Sequence, residues 1–281
     1  MTTPRIVGTI SELRTQVSAW RNDGARIGLV PTMGALHEGH LSLVRETQTR
    51  CGKVIASIFV NPAQFAPHED FDRYPRALES DAQKLGGVGL DLIFAPSIAE
   101  MYPAGFATKL EVGGPSAGLE TDFRPHFFGG VATVVSKLLI AAMPDVAIFG
   151  EKDYQQLLVI RRMTTDLGLP IEILGAAIVR EPDGLAMSSR NAYLKPDERK
   201  AAGKLNLILR DAIAALRKGM PIVDAEAAGA KAIIEAAFNS VDYVAVRDAA
   251  TLAKIETLDR PARILVAAKI GGTRLIDNMA V

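Results

Sequence analysis

The chain has 281 residues, enough for two domains, and its 32 Lys plus Arg balance 32 Asp plus Glu to a net charge of zero. A general nucleic-acid or anionic-membrane binder carries a basic excess, so both classes are excluded, and the arginine doublet Arg161-Arg162 reads as a solvated helix face. One cysteine, Cys51, excludes an internal disulfide framework and reads as a structural thiol in a reducing compartment; no apolar run approaches the ~18 residues of a membrane span and no signal core follows Met1, so a cytoplasmic protein is expected.

Thr9-x-x-Glu12 matches a capping box, and Leu13, Val17 and Trp20 follow at helical spacing. Short runs rich in Val, Ile or Leu then predict buried strands over 26–30, 53–60, 90–95, 146–149 and 171–179. Helical patterns separate most of them, over 39–50, 76–85, 129–142 and 154–167. Strands alternating with helices indicate an α/β fold, a doubly wound parallel sheet, with ligands beyond the carboxyl ends of its strands. The turn-rich break Arg180-Glu-Pro-Asp-Gly184 marks a change of texture, which divides the chain into residues 1–182 and 183–281. Beyond it come one long amphipathic helix over 196–218, a second over 224–239, and strands over 241–247 and 263–270. That pattern predicts a smaller C-terminal α+β domain.

Three polar loops should meet at the carboxyl edge of the sheet. Pro31-Thr-Met-Gly34 follows the first of the five strands, Asn61-Pro-Ala-Gln64 the second, and Gly150-Glu-Lys-Asp153 the strand ending at Phe149. The first loop runs into His37-Glu-Gly-His40 at the start of a helix, and this turn holds half of the chain's four histidines. A helix N-terminus offers unpaired N–H groups and a positive dipole end, so it binds anions, and two imidazoles there suit a nucleoside triphosphate. Zinc is excluded by spacing, because paired helical zinc ligands stand four apart and these stand three apart. The bland alternative is a pair of capping or half-buried histidines.

Four strings then carry a resemblance. Pro31-Thr-Met-Gly-Ala-Leu-His-Glu-Gly-His40, Ser57-Ile-Phe-Val-Asn-Pro-Ala-Gln-Phe65, Phe149-Gly-Glu-Lys-Asp-Tyr-Gln-Gln156 and Asp183-Gly-Leu-Ala-Met-Ser-Ser-Arg-Asn191 stand in order along the chain. Together they resemble the pantoate–β-alanine ligase family of the nucleotidylyltransferase superfamily, from about residue 5 to Asn278. The resemblance implies a Rossmann-like, nucleotidylyltransferase-type first domain. It also implies joining of pantoate to β-alanine through a pantoyl-adenylate, with ATP becoming AMP and pyrophosphate.

By the same resemblance His40 is the acid or donor, with His37, Lys152, Ser188, Ser189 and Arg190 also acting on the phosphates. The ATP site is implied to run through Met33, Gly34, Ala35, Leu36, His37, Glu38, Gly39 and His40. It continues through Gly150, Glu151, Lys152 and Asp153, then Val179, Met187 and the Ser188–Arg190 loop. Gln64 and Gln156 are the pantoate and β-alanine residues, Asn61 supports their loop, and Met33, Phe59 and Phe65 would wall the methyl groups. Mg2+ is expected with ATP, on Asp81 with Asp153 as second candidate, although Ser80 stands where some relatives carry another acid. Relatives are homodimers, which would use the apolar 129–142 stretch or an edge of the first domain.

One string departs from the family pattern. In Arg124-Pro-His-Phe-Phe-Gly-Gly-Val131 the histidine, His126, stands one place early and Phe127 takes its position. Either the loop bulges by a residue or a ligand contact is remodelled. His68 reads as an exposed loop residue. Two rivals keep the nucleotide site: a nucleotidylyltransferase that releases an adenylylated product, and a silent ATP-binding regulator.

Overall fold

The computed structural model describes residues 3–66 and 71–281, which leaves His68 outside the described residues. Six strands form one parallel sheet: β1 (Arg5–Val7), β2 (Ile27–Thr32), β3 (Lys53–Ile58), β4 (Leu92–Phe94), β5 (Val146–Gly150) and β6 (Glu172–Ala176). Their spatial order is β1-β4-β3-β2-β5-β6. The connecting helices are α1 (Ile10–Asn22), α2 (Glu38–Gln48), α3 (Leu78–Gly87), α4 (Ile98–Met101), α5 (Glu120–Phe123), α6 (Phe127–Ala142) and α7 (Tyr154–Asp166).

Alternation along the strands sends side chains to both faces, and both faces are covered. Leu29, Ile55, Ala147 and Phe149 pack with residues of α1, α6 and α7 in one core. Val30, Ala56, Val146 and Ile148 pack with Leu43 and Val44 of α2 and with Ala82 and Leu85 of α3 in another. The chain therefore leaves β2 on one face and β5 on the other, and these two strands are neighbours. The crevice at their carboxyl ends is the place where a doubly wound sheet receives a ligand.

The expected α/β fold is present, with a second, antiparallel sheet of β7 (Ser240–Asp248), β8 (Ala262–Ile270) and β9 (Thr273–Ala280). Helices α8 (Pro196–Ala202), α9 (Leu205–Arg217) and α10 (Ile222–Glu235) accompany it, and a separate apolar core begins at Leu185. Three details differ from the sequence expectation. The long helix over 196–218 is broken after Ala202, where Asn206 donates to the carbonyls of Gly203 and Asp183, at 2.8 and 3.0 Å. Strands β1 and β9 have no counterpart among the expected strands. The first has three residues, and the second carries the buried polar residues Thr273, Asp277 and Asn278 in place of an apolar run. Finally, α6 is core: most of its residues are buried, while Ile140 and Met143 at its end are exposed, so it does not present a broad apolar face for a partner. Among the described residues no helix is long and apolar enough to cross a membrane.

Candidate active site

His37 caps α2 in an extended conformation (φ −133°), and the backbone N–H of His40 closes the first turn on the His37 carbonyl at 2.8 Å. The backbone N–H of His37 donates to Nδ1 of His40 at 3.3 Å. That acceptor role places the proton of a neutral His40 on Nε2, where it is free to donate. The two rings lie 4.1 Å apart and tilted by 41°. Glycine at 39 leaves room for the His37 ring: a Cβ there would stand 2.9 Å from Cε1 of His37. Burial lowers the His37 pKa to about 4, helped by Lys152 and Lys84 against an opposing pull from Asp153. Burial likewise lowers that of His40 to about 3, helped by His37, Lys152 and Lys84. At these values both imidazoles are neutral at pH 7 in the chain without ligand, which leaves the Nε2–H of His40 available as a donor.

Lys152 comes from a single 3-10 turn, Glu151–Asp153, between β5 and α7. Its ammonium stands 4.0 Å from Asp153 and its side chain is 21% exposed. The turn is pinned from the second sheet, because Nδ2 of Asn278 donates to the carbonyls of Glu151 and Lys152 at 2.9 Å each. The Ser188–Arg190 loop is also tied down. The Met187 N–H donates to the Val179 carbonyl at 3.0 Å, the Arg190 N–H to Ser188 Oγ at 3.3 Å, and Ser189 Oγ shares a 3.3 Å hydrogen bond with the Tyr74 hydroxyl.

A cavity of about 1010 Å³ joins these groups. Met33, His37, Gly39, His40, Gly150, Lys152, Asp153, Val179, Met187, Ser188, Ser189 and Arg190 all line it, as do Gln64 and Gln156. The remaining residues of the expected ATP run support the wall. Gly34 and Ala35 take the backbone through positive φ (+83° and +52°), and Leu36 is buried in the core beneath α2. Glu38 pairs outward with Arg45, and Glu151 pairs with Arg263 of β8 at 2.9 Å.

Gln64 is held at the cavity wall by two hydrogen bonds. Its amide donates to Met33 Sδ at 2.9 Å and accepts from Asn61 Nδ2 at 3.1 Å. Asn61 in turn accepts from the Tyr102 hydroxyl at 2.7 Å and donates to the Gly130 carbonyl at 3.1 Å, which fixes which way the Gln64 amide faces. Met33, Phe59, Phe65 and Phe127 supply apolar wall beside it. The helix α6 is unbroken from Phe127; His126 before it is exposed, and Phe127 lines the cavity. Sequence reasoning missed Glu120, Arg124, Tyr243 and Arg274, which also line the cavity. Arg124 stands two places before His126 in the departing string and was findable; the others depend on how the second sheet docks.

Asp81 is engaged by backbone. Its carboxylate is 1% exposed, and its oxygens accept from the backbone N–H groups of Ala35 and Leu36 at 2.9 Å each. Lys84 stands 3.9 Å away. A buried carboxylate engaged in this way anchors the loop before His37. No cluster of three or more His, Cys, Asp or Glu able to hold a metal ion occurs among the described residues.

With this geometry in hand, comparison with known proteins is specific. The family model described as pantoate-beta-alanine ligase matches residues 5–280. A pantothenate synthetase of Mesorhizobium japonicum is 56% identical, over 100% of this chain and 99% of that protein. The solved pantothenate synthetase from Thermus thermophilus has a TM-score of 0.91 at 46% identity, covering 98% of each chain. A pantoate-beta-alanine ligase from Francisella tularensis, solved in complex with beta-gamma ATP and beta-alanine, gives 0.83 at 33% identity, covering 98% of this chain and 97% of that one.

Proposed function

The chain belongs to the pantoate–β-alanine ligase family and performs the ATP-dependent condensation of pantoate with β-alanine; from that premise we propose how its cavity divides the work. The carboxylate of pantoate attacks the α-phosphorus of ATP, expelling pyrophosphate and leaving a pantoyl-adenylate. The amine of β-alanine then attacks the activated carbonyl, forming the amide and releasing AMP. Neither step needs a covalent protein nucleophile, so positioning and donors aimed at developing charge carry the rate.

Negative charge grows on the phosphoryl oxygens and on departing pyrophosphate. The Nε2–H of neutral His40, the His37 imidazole at the α2 terminus and the Lys152 ammonium face that charge from one wall. Ser188, Ser189 and Arg190 supply hydroxyl and guanidinium donors from the loop across it. The oriented amide of Gln64, with Gln156 from the first turn of α7, takes pantoate, whose methyl groups lie against the Met33 and Phe65 wall. Magnesium fits as the counter-ion of the nucleotide, with Asp153 the acid beside Lys152, and when bound it would neutralise charge on the leaving pyrophosphate. The convergence of His40, Lys152, the serine pair and Gln64 on one cavity is the observation that carries this reading.

The test offers ATP, magnesium and pantoate without β-alanine. Pyrophosphate should appear in an amount equal to enzyme, with pantoyl-adenylate retained. His40→Ala and Lys152→Ala should each slow that burst by about 100-fold or more, as expected for loss of a donor to developing charge. Bursts of near-normal rate in both variants would overturn the roles of these two side chains. We also propose that residues 1–182 and 183–281 are the two domains, on the ground that a separate apolar core begins at Leu185. The family resemblance supports a homodimer, and the lone buried cysteine is in keeping with a cytoplasmic setting.

A further inference from the structure

Glu120 lines the same cavity at 6% exposure, and none of the steps above uses it. Arg274 of β9 grips its carboxylate with both Nη atoms, at 2.7 Å each, while Arg274 Nε donates to Asp242 of β7 at 2.7 Å. The Tyr243 hydroxyl donates to the same carboxylate at 2.7 Å. On its other side Arg124 Nη1 stands 3.9 Å away. That guanidinium donates through Nη2 to the carbonyl of Gln64 at 3.2 Å and lies 3.9 Å from the Phe127 ring centroid. The backbone N–H of Glu120 donates to Gln155 at 3.1 Å, next to Gln156.

Among the described residues the cluster pairs Glu120 and Asp242 with Arg274 and Arg124. A buried ion cluster is a weak source of stability, because desolvation cancels much of the attraction. What it adds is fixed geometry. The three elements it joins are the second sheet, the Gln64 turn and the start of α7.

We propose that Glu120 is a positioning residue for pantoate: it holds Arg124 against the Gln64 turn while Arg274 anchors it to the C-terminal sheet, so docking of that sheet sets the shape of the pantoate pocket. The proposal rests on the assignment of Gln64 to pantoate. It requires that Arg124 and Arg274, which do not act on pantoate by the same contact, influence its binding through one shared carboxylate.

The experiment measures KM for pantoate and for ATP, together with thermal melting, in the full-length chain carrying Glu120→Asp, Arg124→Lys, Arg274→Lys or both lysine changes. Glu120→Asp keeps the charge but is one methylene short of spanning Arg274 and Arg124 together. Pantoate KM should rise about 10-fold or more in each single variant with ATP KM unchanged, the signature of lost binding on one side of the cavity. The double lysine variant should be about as impaired as the worse single, because both act through Glu120. A merely structural cluster would lower melting or the active fraction and leave KM alone, and that result, or additive effects in the double variant, overturns the proposal. Should Glu120→Asp fail to fold, the lysine variants, which leave the carboxylate in place, decide the matter. Absence of pantoate-dependent pyrophosphate release in the unaltered enzyme would instead overturn the reading of the cavity itself.

Discussion

Asp81 illustrates how a residue's chemistry depends on what its atoms already touch. An acidic side chain near a nucleotide site suggests magnesium, yet both of its oxygens are engaged by the loop that delivers His37. That loop needs an anchor, because Ala35 sits at φ +52°, a conformation that costs a non-glycine residue about 1–3 kcal/mol. Lys84 adds a second tie by donating to the Leu36 carbonyl at 2.7 Å. Asp81→Asn keeps the volume but turns an amide N–H toward a backbone N–H, leaving a buried donor unmet at about 1–3 kcal/mol. The variant should melt lower and lose about 10-fold in kcat, while the magnesium concentration giving half-maximal activity stays where it was. A metal ligand would behave in the opposite way, with a large rise in that concentration and little change in melting.

The helix α6 shows the same dependence one level up. Helix propensity alone says Gly130→Ala should stabilise by up to about 1 kcal/mol. The packing says otherwise, because a Cβ there would stand 2.2 Å from the Ala63 carbonyl oxygen and 2.8 Å from the Gln64 nitrogen. The Asn61–Gln64 turn must move, and with it the contact from Asn61 to the Gly130 carbonyl. Gly130→Ala should therefore raise pantoate KM by about 10-fold or more, leave ATP KM near its starting value and lower the melting temperature, all readable in one assay series. The elements legible in the sequence were those with a local signal. The central strands β2, β3 and β5 are continuous apolar runs because both faces are covered, and the start of α2 carried its own histidine pair. Elements governed by distant contacts were not legible. Strand β9 spends interior positions on Asp277 and Asn278, whose partners lie far away in sequence, and the α8–α9 break depends on where Asp183 falls. The anchoring of the His37 loop by Asp81 was hidden for the same reason: 45 residues separate it from the Leu36 amide it accepts from.

At the scale of the whole molecule, the second sheet braces the wall of the cavity. Arg180 forks onto Asp277 at 2.7 and 2.9 Å, and Arg263 pairs with Glu151 while lying 3.8 Å from the Tyr154 ring centroid. Between these contacts sits Asn278, 2% exposed, which donates to the two carbonyls of the Lys152 turn and accepts from Arg263 Nε at 2.6 Å. Asn278→Ala leaves two carbonyls and a guanidinium N–H unmet, each costing about 1–3 kcal/mol where water cannot enter. The charged ends of the Arg263–Glu151 pair remain, so the sheet stays docked while the lysine turn loosens. The variant should thus lose kcat and pyrophosphate burst rate by about 10-fold or more with pantoate KM little changed, the reverse of the pattern for Gly130→Ala. Asn278→Asp should be no better, since a carboxylate oxygen would face the two carbonyls that now receive N–H groups. If Asn278→Ala kept a normal burst, the placement of Lys152 would owe nothing to the C-terminal sheet.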